Sequence, residues 1–260
     1  MAVNQNFAAW LPGVGKQIEI GHADISEPGP GELLVEIREV SFEAAASVSN
    51  LYSAASALVL HLHLERPSEK PNPENQNKKV LIWGASSSFG TYATQLAARA
   101  GYSVIGVASS KNAKLVESFG AARFVDRESP TVIQELADIG RFEAVLAAAD
   151  SAQDQVLLGA VLAAQGGGSF LTTMGVRAGV ELSSRVSGFF RQFVDDYLNP
   201  RNAEFTQWVW WDFLESEFAS GELKLVPVQV IGGLNKVQEA WDLLKKGKVS
   251  GQRLAIAPDL

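Results

Sequence analysis

The sequence contains no cysteine, and it has only three histidines among 260 residues. The absence of cysteine excludes disulfide bonds and thiolate metal sites. The histidines, His22, His61 and His63, include no His-x-x-x-His pair, so we expect no zinc site. We interpret His61 and His63 as surface or subunit-contact residues. The chemistry of this protein should therefore depend on neither thiolates nor zinc.

Long apolar runs and an excess of positive charge are also missing. The longest apolar stretch, residues 54–60, is too short to cross a bilayer, and the first residues lack a signal-peptide pattern. The formal net charge of −7 disfavours nucleic acid, whose binding needs clustered Lys and Arg. We expect a cytoplasmic protein that binds neither nucleic acid nor a membrane.

From residue 78 onward, short apolar segments alternate with segments that favour helices. This alternation is typical of a parallel sheet covered by helices on both faces. The run from Val80 to Trp83 is apolar at every position, as expected for a strand buried on both sides. Five strands are predicted, at residues 80–83, 104–107, 124–125, 144–147 and 168–172. The fold class is therefore α/β, with a Rossmann-type doubly wound parallel sheet.

The two ends of the chain predict a small additional β element. Residues 17–20 and 33–40 alternate apolar and polar side chains, which indicates an antiparallel pair. Strand patterns return at 226–230 and 253–257, with a helix between them. We predict a β element from residues 1–42 and 226–260, a linking helix and linker over 43–77, and a nucleotide-binding domain over 78–225.

Residues 84–90 form the sharpest motif, Gly-Ala-Ser-Ser-Ser-Phe-Gly, between a predicted strand and a predicted helix. In dinucleotide-binding loops, glycine at the position of Gly84 permits the tight turn, and Gly90 lets the helix pack close to the sheet. The small Ser86 and Ser87 let the backbone approach a pyrophosphate. The helix N-terminus supplies free N–H groups and a partial positive charge for the phosphates. The alternative is a turn of small residues that binds nothing.

The segment after the second predicted strand indicates which cofactor is bound. NAD-binding domains place Asp or Glu there to bind the ribose hydroxyls. Here the residues are Ser109, Ser110, Lys111 and Asn112, with no carboxylate. Hydroxyls and an ammonium group suit a 2′-phosphate, so NADP(H) is favoured. The alternative is that Lys111 is a solvated residue at a helix start.

These motifs resemble the medium-chain dehydrogenase/reductase superfamily, specifically the zinc-independent fungal trans-acting enoyl reductases. Residues 9–12, 28–32, 119–122 and 249–254 match the branch as well. The resemblance implies NADPH bound through the phosphate loop and near the ends of neighbouring strands. The implied contacts are Ser86, Ser87, Ser88 and Phe89 for the loop, Ser109, Lys111 and Asn112 for the 2′-phosphate, Ser250 and Gly251 near the C-terminus, and Ser53 near the nicotinamide.

The chain also departs from that family. Val40-Ser41-Phe42 runs almost directly into an alanine-rich helix, where the family has a long GroES-like catalytic barrel. The β element is therefore interpreted as the remnant of that barrel. The family's usual Tyr after the third strand is replaced, and Arg127 nearby is a candidate contact for the adenosine phosphate.

Residues 189–213 form a segment rich in aromatic side chains, which could line a substrate pocket. An aromatic pocket suits a flat or polyunsaturated ligand. The alternatives are that these side chains belong to the ordinary core or to a homodimer interface. The predicted pocket residues are Phe189, Phe190, Trp208 and Trp211. Candidate catalytic residues nearby are Arg191, Asp195 and Tyr197.

Three functions remain open at this stage. The first is an NADPH-dependent reductase of an enone or a related bulky apolar, polyketide-like substrate. The second is a non-redox cyclase of secondary metabolism, of the Diels–Alder type, because fold alone does not decide function. The third is a non-catalytic partner protein.

Overall fold

A computed structural model describes residues 6–25, 27, 29–30, 50–68 and 70–257. The chain divides into two compact units. The larger comprises Ser47–Val226, and the smaller combines Met1–Ala46 with Pro227–Leu260. Each unit is described by itself.

The larger unit is built on a six-stranded parallel sheet with the order β5-β4-β3-β6-β7-β8. The strands β4 and β5 lie on one side of β3, and β6, β7 and β8 lie on the other, so the order of addition changes side between β3 and β6, as in dinucleotide-binding folds. The predicted Rossmann-type sheet is therefore confirmed. The strands are β3 (Lys79–Trp83), β4 (Ser103–Ala108), β5 (Arg123–Asp126), β6 (Ala144–Ala147), β7 (Gly168–Thr172) and β8 (Val186–Phe189).

Helices cover both faces of this sheet. Alternate residues of β3 point to opposite faces, so Ile82 joins one apolar core and Trp83 the other. The helices are α1 (residues 50–56, continued by a π turn at Ala57–His61), α2 (Ser88–Arg99), α3 (Ala113–Ser118), α4 (Val132–Ile139), α5 (Ala152–Ala164), α6 (Phe193–Leu198), α7 (Ala203–Gln207) and α8 (Leu214–Ser220).

Two predictions for the larger unit need correction. The pattern at residues 205–219 predicts one regular helix, but a π turn at Trp208–Phe213 separates α7 from α8. Residues 66–77 resemble a linker, yet part of this stretch packs on the larger unit. The Asn75 side chain is fully buried, and its Nδ2 donates to the Ala100 carbonyl at 2.9 Å.

The smaller unit contains strands from both of its chain segments. β1 (Phe7–Trp10) pairs antiparallel with β2 (Glu19–His22), and β9 (Val228–Gly232) pairs parallel with β10 (Arg253–Ile256). Helix α9 (Val237–Lys245) precedes β10, and Gln238 Oε1 accepts from the Ile18 N–H at 2.8 Å. The strand predicted at 17–20 lies two residues further along, and its predicted partner at 33–40 falls outside the described residues.

Candidate cofactor site

The phosphate loop follows β3 at the point where the strand order reverses. Gly84 has a φ of +78°, and a Cβ there would lie 2.6 Å from the Ala149 carbonyl oxygen. The N–H groups of Gly84 and Ala85 donate to the Val107 carbonyl at 2.9 and 3.0 Å. The loop is therefore held against the carboxyl ends of β4 and β6, where only glycine fits at residue 84.

The second glycine of the motif controls how closely α2 approaches the loop. A Cβ on Gly90 would lie 2.3 Å from the Gly84 carbonyl oxygen, which is impossible without moving the backbone. The Ser87 hydroxyl caps α2 by accepting from the Gly90 N–H at 3.0 Å. This cap leaves the N–H groups of Ser88 and Phe89 without an acceptor in the described part of the chain. The helix thus presents free donors where a pyrophosphate would lie.

The other two serines of the loop accept hydrogen bonds from amides. Ser86 Oγ accepts from Asn112 Nδ2 at 3.1 Å, and Ser88 Oγ accepts from Asn50 Nδ2 at 2.7 Å. A serine hydroxyl that accepts in this way still has its own hydrogen to donate. Both serines can therefore act as donors toward an anion. The motif does not reveal Asn50, because it lies on α1 and reaches the loop only through the packing of the helices.

The predicted 2′-phosphate residues lie at the ends of β4 and β5. The pairing of Ala108 with Asp126 places Arg127 beside Ser109. Lys111 is exposed and forms no hydrogen bond or ion pair with any described residue. The Arg127 side chain is 38% exposed, and its guanidinium lies 3.9 and 4.0 Å from the nearest carboxylate oxygens, those of Glu128 and Asp154. Two weakly engaged cations thus lie near the end of β4, whereas the buried Asn112 uses its amide on Ser86.

Three further predicted contacts lie away from the loop motif. Ser53 is half-buried on α1 in the larger unit. Ser250 and Gly251 precede β10 in the smaller unit, and Gly251 has a φ of +67°. Their contacts with a cofactor stay predictions.

The aromatic side chains of residues 189–213 form two groups, which Tyr52 joins through its edge-on contact with Phe205 at 5.8 Å. The Trp210 ring stacks on Tyr52 with 5.8 Å between centroids, and Tyr197 lies edge-on to both. Trp208 packs instead on Phe205 and Phe213, and the Arg66 guanidinium covers it. Trp211 is 59% exposed.

Phe189 ends β8, and Phe190 follows it. No ring contact in the described part of the chain joins Phe189 or Phe190 to Trp208 or Trp211. Arg191 lies 5.3 Å from the Phe189 ring centroid, and its Nη1 donates to the Phe190 carbonyl at 2.9 Å. Ring stacking among the described residues therefore does not join the four predicted pocket residues, and the pocket stays a prediction.

The candidate Asp195 is exposed, but its neighbour Asp196 forms a polar cluster with α1. Asp196 Oδ2 accepts from the Ser56 hydroxyl and lies 2.7 Å from His61 Nε2. His61, expected to be a surface or subunit-contact residue, is not a freely exposed one, because its side chain is only 16% exposed and pairs with Asp196; the subunit contact stays a prediction. The π turn at Ala57–His61 ends α1 at this contact.

Tyr52 lies beside the same cluster. Its hydroxyl is 3.1 Å from Thr206 Oγ1. Burial raises the pKa of Tyr52 above its ordinary value, and the hydrogen bond with Thr206 opposes this rise only in part. The phenol therefore stays protonated at neutral pH and can donate a hydrogen bond.

Comparisons with known proteins decide the relationship. No family model matches the sequence. The trans-enoyl reductase himH of Aspergillus japonicus is 33% identical over 230 residues, which cover 86% of this chain and 65% of that protein. The trans-enoyl reductase xenG of Xenoacremonium sinensis is 28% identical, with 83% of this chain and 62% of that protein covered.

This sequence is related to the fungal trans-enoyl reductases. The resemblance that the phosphate loop and flanking motifs predict is thereby confirmed. The chain spans less than two thirds of the length of the two trans-enoyl reductases, which agrees with the predicted loss of most of the barrel.

A solved structure supports the fold. CurA of Vibrio vulnificus, determined in complex with NADPH, superposes with a TM-score of 0.61 at 15% identity, covering 93% of this chain and 74% of that one. At this identity the likeness shows the fold alone.

The residues of this trans-enoyl reductase relative fit a dinucleotide at the phosphate loop. Glycines stand where any Cβ would collide with backbone, and free N–H groups and two serine hydroxyls face the same end of the sheet. Among the described residues, no group of three His, Asp or Glu side chains is arranged to hold a metal ion. No described helix is long and apolar enough to cross a membrane.

Proposed function

We propose that the chain binds NADP(H) and reduces the carbon–carbon double bond of an enone or a related bulky apolar, polyketide-like substrate, without zinc. The observation that carries the proposal is the loop at residues 84–90. Its two glycines let the turn close against Ala149 and let α2 pack against the loop, and the Ser88 and Phe89 N–H groups have no acceptor among the described residues.

The preference for NADP(H) over NAD(H) is supported by charge. The segment after β4 has no carboxylate, and among the described residues Lys111 has no ion-pair partner, whereas Arg127 has only the long contacts with Glu128 and Asp154 at 3.9 and 4.0 Å. A 2′-phosphate would give both cations a charge-assisted partner.

The cofactor and the chain would supply different parts of the reaction. The bound cofactor would supply the hydride that reduces the double bond. The chain's own residues bind it: the loop N–H groups and the hydroxyls of Ser86 and Ser88 hold the pyrophosphate, and Lys111 and Arg127 hold the 2′-phosphate. The residues named here therefore serve in binding the cofactor.

The reductase is favoured over the two alternatives by the names of the relatives. The two trans-enoyl reductases bear the same activity in their names, and neither is named a cyclase. Purified protein should therefore oxidise NADPH in the presence of a suitable enone, followed by the loss of NADPH absorbance. Product formation at full rate without any nicotinamide would contradict the reductase and favour the cyclase.

The cofactor preference can be tested by charge reversal. Lys111→Glu should weaken NADPH binding about tenfold or more, because it places a carboxylate beside the phosphate, and should leave NADH binding nearly unchanged. Binding is measured by quenching of tryptophan fluorescence. Lys70→Glu is the matched control, since Lys70 is also exposed and precedes β3, whereas the phosphate loop follows it. Equal losses for both cofactors, or equal effects of both substitutions, would contradict the assignment.

A further inference from the structure

Asn50 forms a polar contact that no motif of the chain contains. It begins the described part of α1, and its Nδ2 lies 2.7 Å from Ser88 Oγ, although the two residues are 38 positions apart. Both residues are half-buried. The contact therefore joins α1 to the first helical residue of α2, within the phosphate loop.

The chemistry of an amide N–H determines what Ser88 can do. Because the Asn50 amide donates, the Ser88 oxygen must accept, and the hydroxyl hydrogen has to point elsewhere. Without this partner, a serine in the first turn of a helix can rotate its hydroxyl toward neighbouring backbone groups. The Asn50 contact thus keeps the Ser88 hydroxyl from turning toward those backbone groups, and its hydrogen stays available to a ligand.

The same arrangement occurs on the other side of the loop. Asn112 Nδ2 donates to Ser86 Oγ at 3.1 Å, from the short helical turn after β4. Ser87, between the two, is already used to cap α2. Each of the two serines not used by the cap is therefore held by an asparagine from a different element.

We propose that Asn50 is a positioning residue of the cofactor site, which orients the Ser88 hydroxyl as a donor to the pyrophosphate of NADP(H). This inference rests on the proposed function. Asn50 acts through Ser88, so its contribution should vanish when the hydroxyl is absent. The Asn112–Ser86 pair gives the chain a second instance of the same device.

A double-mutant cycle tests this dependence. Asn50→Ala should weaken NADPH binding about three- to tenfold, Ser88→Ala by at least as much, and the double variant no more than Ser88→Ala. Affinity is measured by fluorescence titration, and the thermal midpoint without cofactor is recorded for each variant. Asn77→Ala, at an exposed asparagine away from the loop, is the control and should bind normally.

A second substitution reverses the polarity of the contact. Asn50→Asp fits the same space but can only accept, so it should turn the Ser88 hydrogen toward itself and weaken binding more than Asn50→Ala. Unchanged affinity of Asn50→Ala, or additive losses in the double variant, would overturn the inference while the proposed function stands. Failure of the unsubstituted protein to bind NADPH would overturn both.

Discussion

At the scale of single residues, the buried carboxyl group of Glu217 should make the stability of the protein depend on pH. Its Oε1 lies 2.6 Å from Arg99 Nη2, and its side chain is only 9% exposed. Burial raises the pKa of Glu217 above its ordinary value, and the Arg99 charge opposes this rise only in part. The folded state therefore holds the Glu217 proton more tightly than the unfolded chain does.

The stability that Glu217 contributes should fall as the pH rises. A raised carboxyl pKa contributes stability at pH values below the ordinary pKa, and this contribution is lost as the pH rises through the raised one. Glu217→Gln mimics the protonated form, so its melting temperature relative to the unsubstituted protein should rise by a few degrees between about pH 4 and neutral pH. Thermal unfolding followed by circular dichroism measures this difference.

Glu222→Gln is the matched control for this prediction. Glu222 Oε2 faces the same guanidinium at 3.7 Å, but its side chain is 69% exposed. An exposed pair of this kind contributes little directly, and because the Glu222 charge adds to the rise in the pKa of Glu217, the variant should keep the pH dependence of the unsubstituted protein or weaken it slightly. A constant gap for Glu217→Gln across the range would show that burial of Glu217 has no such effect.

At the scale of elements, the tryptophans of the π turn at Trp208–Phe213 play different parts. Trp210 stacks on Tyr52 of α1, whereas Trp211 is 59% exposed. Trp210→Ala should lower the free energy of unfolding by about 2–4 kcal/mol, because it removes the stacked ring, and Trp211→Ala by less than about 0.5 kcal/mol. Urea unfolding of both variants measures this. Similar losses would mean that the exposed ring has a structural partner too.

The elements also show which parts of the fold sequence reasoning reaches. Buried strands such as β3 and β6 are uniformly apolar, so their pattern predicts them well. β8 escapes prediction because it is a short edge strand that includes Gly188 and a half-buried Phe189. The π turn at Trp208–Phe213 interrupts the helix without a local signal in the sequence, and within it Trp210 stacks on Tyr52 of α1.

The candidate site divides in the same way. The phosphate loop is local in sequence, and its turn and helix start follow from glycine and serine at fixed positions. The contacts Asn50–Ser88 and His61–Asp196 join residues 38 and 135 positions apart, and only the folded chain brings them together. Residue type alone therefore predicts the phosphate loop but not the distant residues that contact it.

At the scale of the whole molecule, cofactor binding should appear as selective stabilisation. The phosphate loop lies in the unit Ser47–Val226, and a ligand that binds only the folded state stabilises it in proportion to the logarithm of its concentration. At a hundredfold excess over the dissociation constant, the gain is about 2.7 kcal/mol, or about 5–10 °C for a domain of this size. NADPH should therefore raise the transition of this unit, and NADH at the same concentration should raise it less.

Differential scanning calorimetry distinguishes this effect from a general action of the ligand. A chain with two compact units need not unfold in one step, so each transition is followed separately. Lys111→Glu should reduce the shift with NADPH and preserve the smaller shift with NADH, because only the 2′-phosphate differs between the cofactors. Equal shifts with both cofactors in the unsubstituted protein would mean that Lys111 and Arg127 do not select the phosphate, although the loop binds the dinucleotide.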